Sequence, residues 1–202
     1  MSKSKGGLDG LLKEIRACRV CAQALPHIPR PVLRVSATAR LLICGQAPGT
    51  RVHASGTPFT DPSGVRLRSW LGVSEEEFYD LARVAIVPMG LCFPGLDASG
   101  GDKPPRKECA PLWRPRLQPY LGNVRLTLAV GSYAHQWFFP GAVKRPMTEA
   151  VRAWAADGQA AGDVIPLPHP SWRNNRWLKD NPWFETDLLP ELRRRVRAGL
   201  AD

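Results

Sequence analysis

The sequence predicts an α/β fold in which four parallel strands alternate with helices. Two observations support this prediction: short apolar runs stop at Gly or Pro, and patterns with helical spacing lie between those runs. The apolar runs cover residues 41–44, 84–87, 124–131 and 163–168. Alternating strands and helices favour a parallel sheet with helices on both faces. Because 202 residues give little reason to divide the chain, we expect one domain over residues 1–202.

The chain begins with a predicted helix over residues 8–17, where Leu and Ile recur at helical spacing. This helix leads directly into a Cys-x-x-Cys pair formed by Cys18 and Cys21. Residues 22–37 contain three prolines and little periodicity, so they predict an ordered connection. The first strand follows at residues 41–44.

A long loop separates the first strand from the next helix. Residues 45–64 are rich in Gly, Pro, Ser and Thr, which is typical of a loop. A helix is then expected to end at Gly72, and Ser74 with Glu77 predicts a capping box at the start of another helix. Both helices precede the strand at residues 84–87.

The second half of the chain continues the alternation. We expect a helix after Cys109, although prolines interrupt it, and a helix over residues 132–139 after the third strand. Residues 187–200 combine leucines at helical spacing with arginines, which predicts a basic terminal helix. We expect its arginines to form a solvated face.

The composition is basic. Lys and Arg outnumber Asp and Glu by 28 to 18, a formal net charge of +10. This excess favours nucleic acid or another polyanion as partner, although an ordinary basic protein has the same composition. The chain has no apolar run near 18 residues, and its N-terminus lacks the apolar core of a signal peptide. We therefore expect a cytoplasmic monomer with no membrane partner.

The loops after the first, second and fourth strands are predicted to meet at one edge of the sheet. Open α/β sheets bind ligands beyond the carboxyl ends of their strands. The first loop carries Gln46, His53, Phe59 and Asp61, and His169 follows the fourth strand. Polar groups and an aromatic ring therefore converge where a composite active site is expected.

Four cysteines have spacings that are typical of a metal site. Two of them form the Cys-x-x-Cys pair, and the other two lie further along the chain; the four are Cys18, Cys21, Cys92 and Cys109. Four thiolates can hold an iron-sulfur cluster or a structural zinc ion, and the spacing alone does not choose between them. The alternative is four unrelated thiols. Cys44 lies within an apolar strand and predicts a buried thiol.

Three motifs together resemble those of the uracil-DNA glycosylase superfamily. They are Gly45-Gln46-Ala47-Pro48-Gly49 after a strand, Gly56-Thr57-Pro58-Phe59 downstream, and His169-Pro170-Ser171 after the last strand. The resemblance covers roughly residues 15–198 and implies a three-layer α/β/α sandwich around a four-stranded parallel sheet. The cysteine arrangement is similar to that of the iron-sulfur bacterial and archaeal members. It implies a structural [4Fe-4S] cluster on the four cysteines, with zinc as the alternative.

The resemblance also implies an activity. A DNA repair glycosylase flips uracil, the product of cytosine deamination, out of DNA and hydrolyses its N-glycosidic bond, leaving an abasic site. Phe59 matches the residue that stacks on the flipped base, although a Phe is more often part of a core. His169 would donate a hydrogen bond to the charge that develops on the pyrimidine. The base-binding residues expected from the resemblance are Phe59, Gln46, Gly45 and Met89.

The group that positions the attacking water is less directly indicated. The best-known members carry Asp at the third position of the first motif, where this chain has Ala47. Asp61 resembles the catalytic Asp that another branch places just after the stacking Phe, with a spacing one residue shorter than expected. The main chain of Gln46 and Ala47 would contact the base and the water. The alternative role of Asp61 is a helix cap. His53 is a weaker candidate for activating the water.

Two further positions depart from the superfamily pattern. Iron-sulfur relatives carry an Asn where this chain has Pro88, and the strictest uracil enzymes carry a Tyr where it has Gly49. Together with Ala47, these departures keep open a glycosylase that acts mainly on hypoxanthine or xanthine. The missing Asp of the first motif keeps open a catalytically weak protein that binds damaged or abasic DNA.

The segment after the last motif is expected to contact DNA. Trp172 or Arg173 matches the position of a wedge that enters the minor groove, and Arg176 would contact a phosphate. Ser171 and Ser132, which begins a predicted helix, are further candidates for phosphate contacts. The alternative is a surface loop anchored by tryptophan.

Overall fold

A four-stranded parallel sheet forms the centre of the molecule. The structure is a computed structural model and describes residues 6–140, 147–157 and 162–201. The strands are β1 (Leu41–Cys44), β2 (Val84–Ile86), β3 (Leu126–Val130) and β4 (Val164–Leu167), in the order β2-β1-β3-β4. All three strand pairs are parallel. The predicted α/β fold with four parallel strands is therefore confirmed.

Helices connect the strands. They are α1 (Gly7–Arg16), α2 (Thr50–Ser55), α3 (Pro62–Leu71), α4 (Glu75–Tyr79), α5 (Cys109–Leu117), α6 (Ser132–Phe138), α7 (Met147–Asp157), α8 (Asn175–Asp180) and α9 (Leu189–Leu200). A turn of π-helix, Phe184–Leu188, leads into α9. The sequence predicted most of these helices; α2, α7 and α8 were not predicted, and α2 and α8 fall in segments expected to be loops.

Both faces of the sheet are buried, because alternate residues of each strand enter separate hydrophobic clusters. Leu41 and Ile43 of β1 pack with residues of α3, α7 and α9, whereas Leu42 and Cys44 pack with residues of α1, α5 and α6. Full burial of one large aliphatic side chain contributes about 1.5–3 kcal/mol. The two clusters form the interfaces of an α/β/α sandwich, and the buried thiol of Cys44 agrees with the prediction.

Local sequence signals explain several helix ends. The hydroxyl of Ser74 accepts a hydrogen bond from the N–H of Glu77, whose carboxylate accepts one from the N–H of Ser74. This is the predicted capping box of α4. Helix α3 ends at Gly72, as predicted, in a left-handed conformation with φ 66°.

Three arginines of α9 form ion pairs with glutamates at the surface. Its leucines and Val196 are buried in the core. Arg194 and Arg195 form ion pairs with Glu191, and Arg197 pairs with Glu77 of α4. These contacts support the prediction of a solvated basic face.

The ends of β1 and β2 hold the loops that follow them. Hydrogen bonds continue the parallel pairing beyond the strands: the N–H of Met89 donates to the carbonyl of Gly45, and the N–H of Gly90 donates to that of Gln46. The main chain of Gly45 and Gln46 is therefore held at the carboxyl edge of the sheet. Within the described ranges, no helix has both the length and the apolar character needed to cross a membrane.

Candidate active site

A cavity of about 630 Å³ opens at the carboxyl edge of the sheet. The loops after β1, β2 and β4 form its walls, and the loop after β2 contributes Pro88, Gly100 and Asp102; we call it the strand-end cavity. It is large enough for a nucleobase with its sugar. Nine residues proposed from the sequence line it: Gly45, Gln46, Ala47, Phe59, Asp61, His169, Ser171, Trp172 and Arg173.

Phe59 forms part of one wall in a conformation that is rare for an aromatic residue. Its φ is 58°, in the left-handed region, where L-residues other than Asn and Asp are strained. Glycine at position 64 permits this conformation, because a Cβ atom there would lie 1.7 Å from the carbonyl oxygen of Phe59. The ring is half-buried and packs edge-on against Phe78. Phe59 is thus a fixed aromatic surface within the cavity wall.

The ring of Phe59 also lies against the first loop. A Cβ atom on Gly45 would lie 3.2 Å from its Cζ atom, so only a residue without a side chain leaves the ring in place. The main chain of Gly45 and the aromatic ring therefore form adjoining walls. This arrangement suits a flat ligand that stacks on the ring and contacts main-chain groups.

His169 lies two residues after the end of β4 and lines the strand-end cavity. Burial lowers its pKa below the ordinary value of 6.5, and the charge of nearby Asp61 partly opposes this. Its backbone carbonyl accepts a hydrogen bond of 2.6 Å from the side chain of Asn174. Burial therefore favours a neutral imidazole, which keeps one N–H donor for a ligand.

Asp61 has a helix cap role and also faces the cavity. It precedes α3, and one of its carboxylate oxygens accepts a hydrogen bond of 3.1 Å from the N–H of Gly64. The predicted alternative of a cap is therefore correct. The same carboxylate lines the strand-end cavity, so the cap does not remove it from the site.

A family model for the uracil DNA glycosylase superfamily matches residues 34–193. The chain belongs to this superfamily. The match covers the sheet and all three loops that form the strand-end cavity. Superfamily membership supports a DNA glycosylase, a hydrolase of DNA repair that binds DNA as its substrate.

Residues after the superfamily's His-Pro-Ser motif extend from the cavity to the surface. Trp172 is 72% exposed, and the Arg173 guanidinium lies 5.6 Å from the centre of its ring. Arg66 of α3 donates a hydrogen bond of 3.0 Å to the carbonyl of Ser171. An exposed aromatic ring and two arginine side chains thus lie at the rim of the cavity.

Three of the proposed residues lie outside the cavity lining. The side chain of Met89 is buried in the hydrophobic cluster beside α1 and α5, because it alternates with cavity-lining Pro88. This burial keeps the Met89 side chain out of the cavity, which corrects the prediction that it contacts the base. Ser132 is an exposed residue at the start of α6. Arg176 is 91% exposed and lies 3.4 Å from Asp180, which leaves it at the outer surface.

His53 also points away from the strand-end cavity. Its ring lies 4.0 Å from that of His27 and 5.9 Å from that of Phe93, measured between centroids. Burial, followed by the charges of His27 and Arg30, lowers its pKa. This position argues against His53 as a substitute for the water-activating group.

Several cavity residues were not identified from the sequence. They include Arg66, Asn174 and Asp102. Asp102 is open to solvent, yet partial burial raises its pKa; Arg173 opposes the shift, whereas Asp61 and Asp97 add to it. The only available signal was a cluster of turn residues around Gly100 and Gly101, and that signal does not indicate where an acidic side chain points.

The four proposed cysteine ligands line a second, small cavity together with Pro29, Pro31, Leu91 and Trp113; we call it the cysteine cavity. All four thiols are free. Burial, followed by the other cysteines, raises the pKa of Cys92 to about 12. Burial also raises the pKa of Cys109 to about 11, and its sulfur accepts a hydrogen bond of 3.3 Å from the N–H of Leu91. Among the described residues, no group of three or more Cys, His, Asp or Glu side chains has the arrangement of a metal-ion site.

Proposed function

We propose that this superfamily member is a monofunctional uracil-DNA glycosylase. It binds uracil after the nucleotide is flipped from DNA, hydrolyses the N-glycosidic bond and leaves an abasic site. One observation carries the proposal: half-buried His169 and Phe59, whose φ lies in the left-handed region, line the same cavity of about 630 Å³. A neutral hydrogen-bond donor and a flat apolar ring are the two groups that a departing pyrimidine requires.

The base leaves with the electron pair of the glycosidic bond. Negative charge therefore develops on the pyrimidine ring, where a neutral imidazole N–H stabilises a carbonyl oxygen. Because burial favours the neutral form of His169, the donor does not have to release a bound proton first. Phe59 stacks against the base, and the main chain of Gly45, Gln46 and Ala47 borders the same space.

Asp61 is the sequence-derived candidate for positioning the attacking water. Its carboxylate would supply negative charge beside the sugar, where cationic character develops as the base departs. The hydrogen bond from Gly64 holds one oxygen in place, so the orientation of the carboxylate is set before the substrate binds. Ala47 borders the cavity without contributing a side-chain acid.

The rim supports a role in opening the duplex. Trp172 presents an exposed ring of the kind that fills the space left by a flipped nucleotide. Arg173 lies beside it, and Arg176 and Ser132 are exposed for phosphate contacts outside the cavity. The net charge of +10 favours the approach to DNA.

A second candidate function is removal of hypoxanthine or xanthine. The observation that favours it is the cavity wall at Pro88 and Gly49, which provides no side-chain amide and no bulky ring. The side chain of Gln46 is directed to the carbonyl of Lys103, at 3.4 Å. Base selection then depends on main-chain groups, which discriminate less strictly.

A gel assay on matched oligonucleotides tests both candidates. The substrates carry uracil, thymine, hypoxanthine, xanthine or no lesion, and alkali cuts the strand at each abasic site. We expect cleavage at uracil and rapid multiple turnover. Cleavage mainly at hypoxanthine or xanthine would favour the second candidate. Absence of all cleavage together with tight binding to abasic DNA would indicate a DNA-binding protein instead.

We also propose that the cysteine cavity holds a structural [4Fe-4S] cluster. Cys18, Cys21, Cys92 and Cys109 border one cavity, so the fold brings the four thiols to one place. Four thiolates can hold an iron-sulfur cluster or a zinc ion. The cysteine spacing resembles that of the iron-sulfur members of the superfamily, and this resemblance favours the cluster over zinc.

The cluster would serve the fold. Its ligands come from the segment after α1, from the loop after β2 and from the start of α5, so bound iron would join three separate parts of the chain. Iron and acid-labile sulfide analysis of protein purified without oxygen tests this proposal. We expect about four of each per chain, and zinc without iron would refute it.

A further inference from the structure

A turn in the loop after β2 holds Asp102 at the strand-end cavity. The carboxylate of Asp97 accepts hydrogen bonds from the N–H and hydroxyl of Ser99 and from the N–H of Gly101. A backbone bridge joins Leu96 to Asp102. The position of Asp102 is therefore set by its own loop before any ligand binds.

The carboxylate of Asp102 lies close to the first superfamily motif. A Cβ atom on Gly49 would lie 3.3 Å from its Oδ2 atom, which is closer than most Cβ contacts. The φ of Gly49 is −88°, so the backbone there does not require glycine. The absence of a side chain at this position instead leaves room for the acid.

The two acids of the strand-end cavity differ in their hydrogen bonding. Asp61 accepts a hydrogen bond from the N–H of Gly64. The carboxylate of Asp102 accepts none from the residues that the structure describes, although it borders the same cavity. Both of its oxygens are therefore available for water.

The charges around Asp102 suit a proton acceptor. Partial burial raises its pKa first, and the carboxylates of Asp61 and Asp97 add to this effect, while Arg173 opposes it. A higher pKa makes a carboxylate a stronger base. Asp102 thus combines access to water with increased basicity.

We propose that Asp102 is a second catalytic carboxylate, which accepts the proton of the water that attacks the sugar. The water oxygen forms a bond to C1′ while the bond from C1′ to N1 of uracil breaks. The electron pair goes to the base, which leaves as an anion stabilised by His169. The proton of the water goes to Asp102 and then to solvent. This assignment rests on the proposed glycosylase function and explains how the chain works with Ala47 in the first motif.

Single-turnover rates of uracil release test the assignment. The variants are Asp102→Asn, Asp61→Asn and, as a matched control, Asp9→Asn, which removes an exposed acid of α1. With saturating enzyme, Asp102→Asn should slow release by about a hundredfold or more. DNA affinity should stay equal or increase, because a negative charge is removed. The control should match the wild type.

The pH profile separates a base from a merely structural acid. In the wild type, the rate should rise with pH as Asp102 loses its proton and then reach a plateau. That rise should be absent in Asp102→Asn and retained in Asp61→Asn. A rate for Asp102→Asn within threefold of the wild type, or an unchanged rise, would overturn the assignment.

Gly49→Ala provides a second test that keeps the acid. The added methyl group would displace the carboxylate, so we expect a loss of several-fold in rate. In an Asp102→Ala background, the same change should have no further effect. An equal loss in both backgrounds would refute the role of Asp102. A wild-type protein that releases no base from any substrate would instead refute the proposed function itself.

Discussion

The strand-end cavity and the cysteine cavity use opposite kinds of side chain. The first is large and combines acids, arginines, an imidazole and an aromatic ring. The second is small and is bordered mainly by four thiols, prolines and other apolar residues. The polar groups of the first cavity could bind a substrate, whereas the thiols of the second could bind a metal group. Under the proposed function, the first cavity would serve catalysis and the second would serve stability.

This comparison predicts that mutations in the two cavities have different effects. Changes in the strand-end cavity should alter the rate and leave the stability nearly constant, because its acids and imidazole contribute little to the hydrophobic clusters. Changes in the cysteine cavity should lower the stability and leave the rate constant in protein that remains folded. Each prediction below tests one side of this division.

The largest effect is expected for His169→Ala. Loss of the donor to the departing base should raise the activation free energy by roughly 3 kcal/mol, a decrease of about 150-fold in single-turnover rate. DNA affinity should change little, because the interaction strengthens as charge develops on the base. Single-turnover uracil release and fluorescence binding to uncleaved duplex measure the two quantities.

His53→Ala is the matched control for this experiment. His53 is partly enclosed by His27 and Phe93 and lies outside the strand-end cavity. Its variant should keep the wild-type rate. Equal losses in both variants would mean that histidine loss acts through the fold, and the division between the two cavities would not hold.

Asp61→Asn should have the next largest effect on the rate. Asparagine also caps helices well, so α3 should keep its first turn while the negative charge is lost. We expect a decrease of about a hundredfold in the chemical step with little change in DNA affinity. Asp61→Ala should add a stability loss of about 1 kcal/mol from the missing cap. A near-native rate for Asp61→Asn would leave Asp61 with the cap role alone.

The sequence predicted the parts of the fold that follow from periodicity and local turns. Apolar runs indicated all four strands, and the pair of Ser74 and Glu77 indicated the start of α4. The motif residues Gln46, Phe59 and His169 also came together as expected, because parallel strands end at one edge of the sheet. These features depend on neighbours that are close in sequence or on a rule of topology.

Other features depend on side-chain direction, which the sequence does not specify. Met89 and Pro88 are adjacent, yet one is buried in the core and the other borders the strand-end cavity. Asp102 borders the same cavity from a loop that is held by hydrogen bonds to Asp97. The left-handed conformation of Phe59 likewise places its carbonyl against Gly64, where a side chain would not fit. Such contacts appear only when the chain is folded.

In the cysteine cavity, Cys92→Ser should remove the iron and lower the melting temperature by several degrees or more. A bound metal group contributes its binding free energy to the folded state, and the variant has one ligand fewer. The rate of uracil release should stay within about threefold at temperatures where the variant is folded. Iron analysis, thermal unfolding and single-turnover assays measure the three effects.

Cys44→Ala is the control for cysteine loss. Cys44 is buried at the end of β1, where Arg114 donates to its sulfur, and it does not line the cysteine cavity. This variant should keep its full iron content. If Cys92→Ser also kept its iron, the proposed ligand set would be wrong.

The smallest effect concerns the dependence of stability on pH. Burial lowers the pKa of His169 below 6.5, and burial, with the charges of His27 and Arg30, lowers that of His53. Below pH 6.5 the unfolded chain therefore binds more protons at these positions than the folded protein does, so the free energy of unfolding should fall as the pH decreases. Urea unfolding at pH 7.0 and pH 5.5 measures this fall.

His169→Asn and His53→Asn then assign the fall to the two regions. Each variant lacks one titrating imidazole, so each should lose less stability between pH 7.0 and pH 5.5 than the wild type does. Asp61 opposes the pKa shift of His169, whereas His27 and Arg30 strengthen that of His53. An identical fall in His169→Asn and the wild type would mean that His169 titrates normally, and its assignment as a neutral donor would then fail.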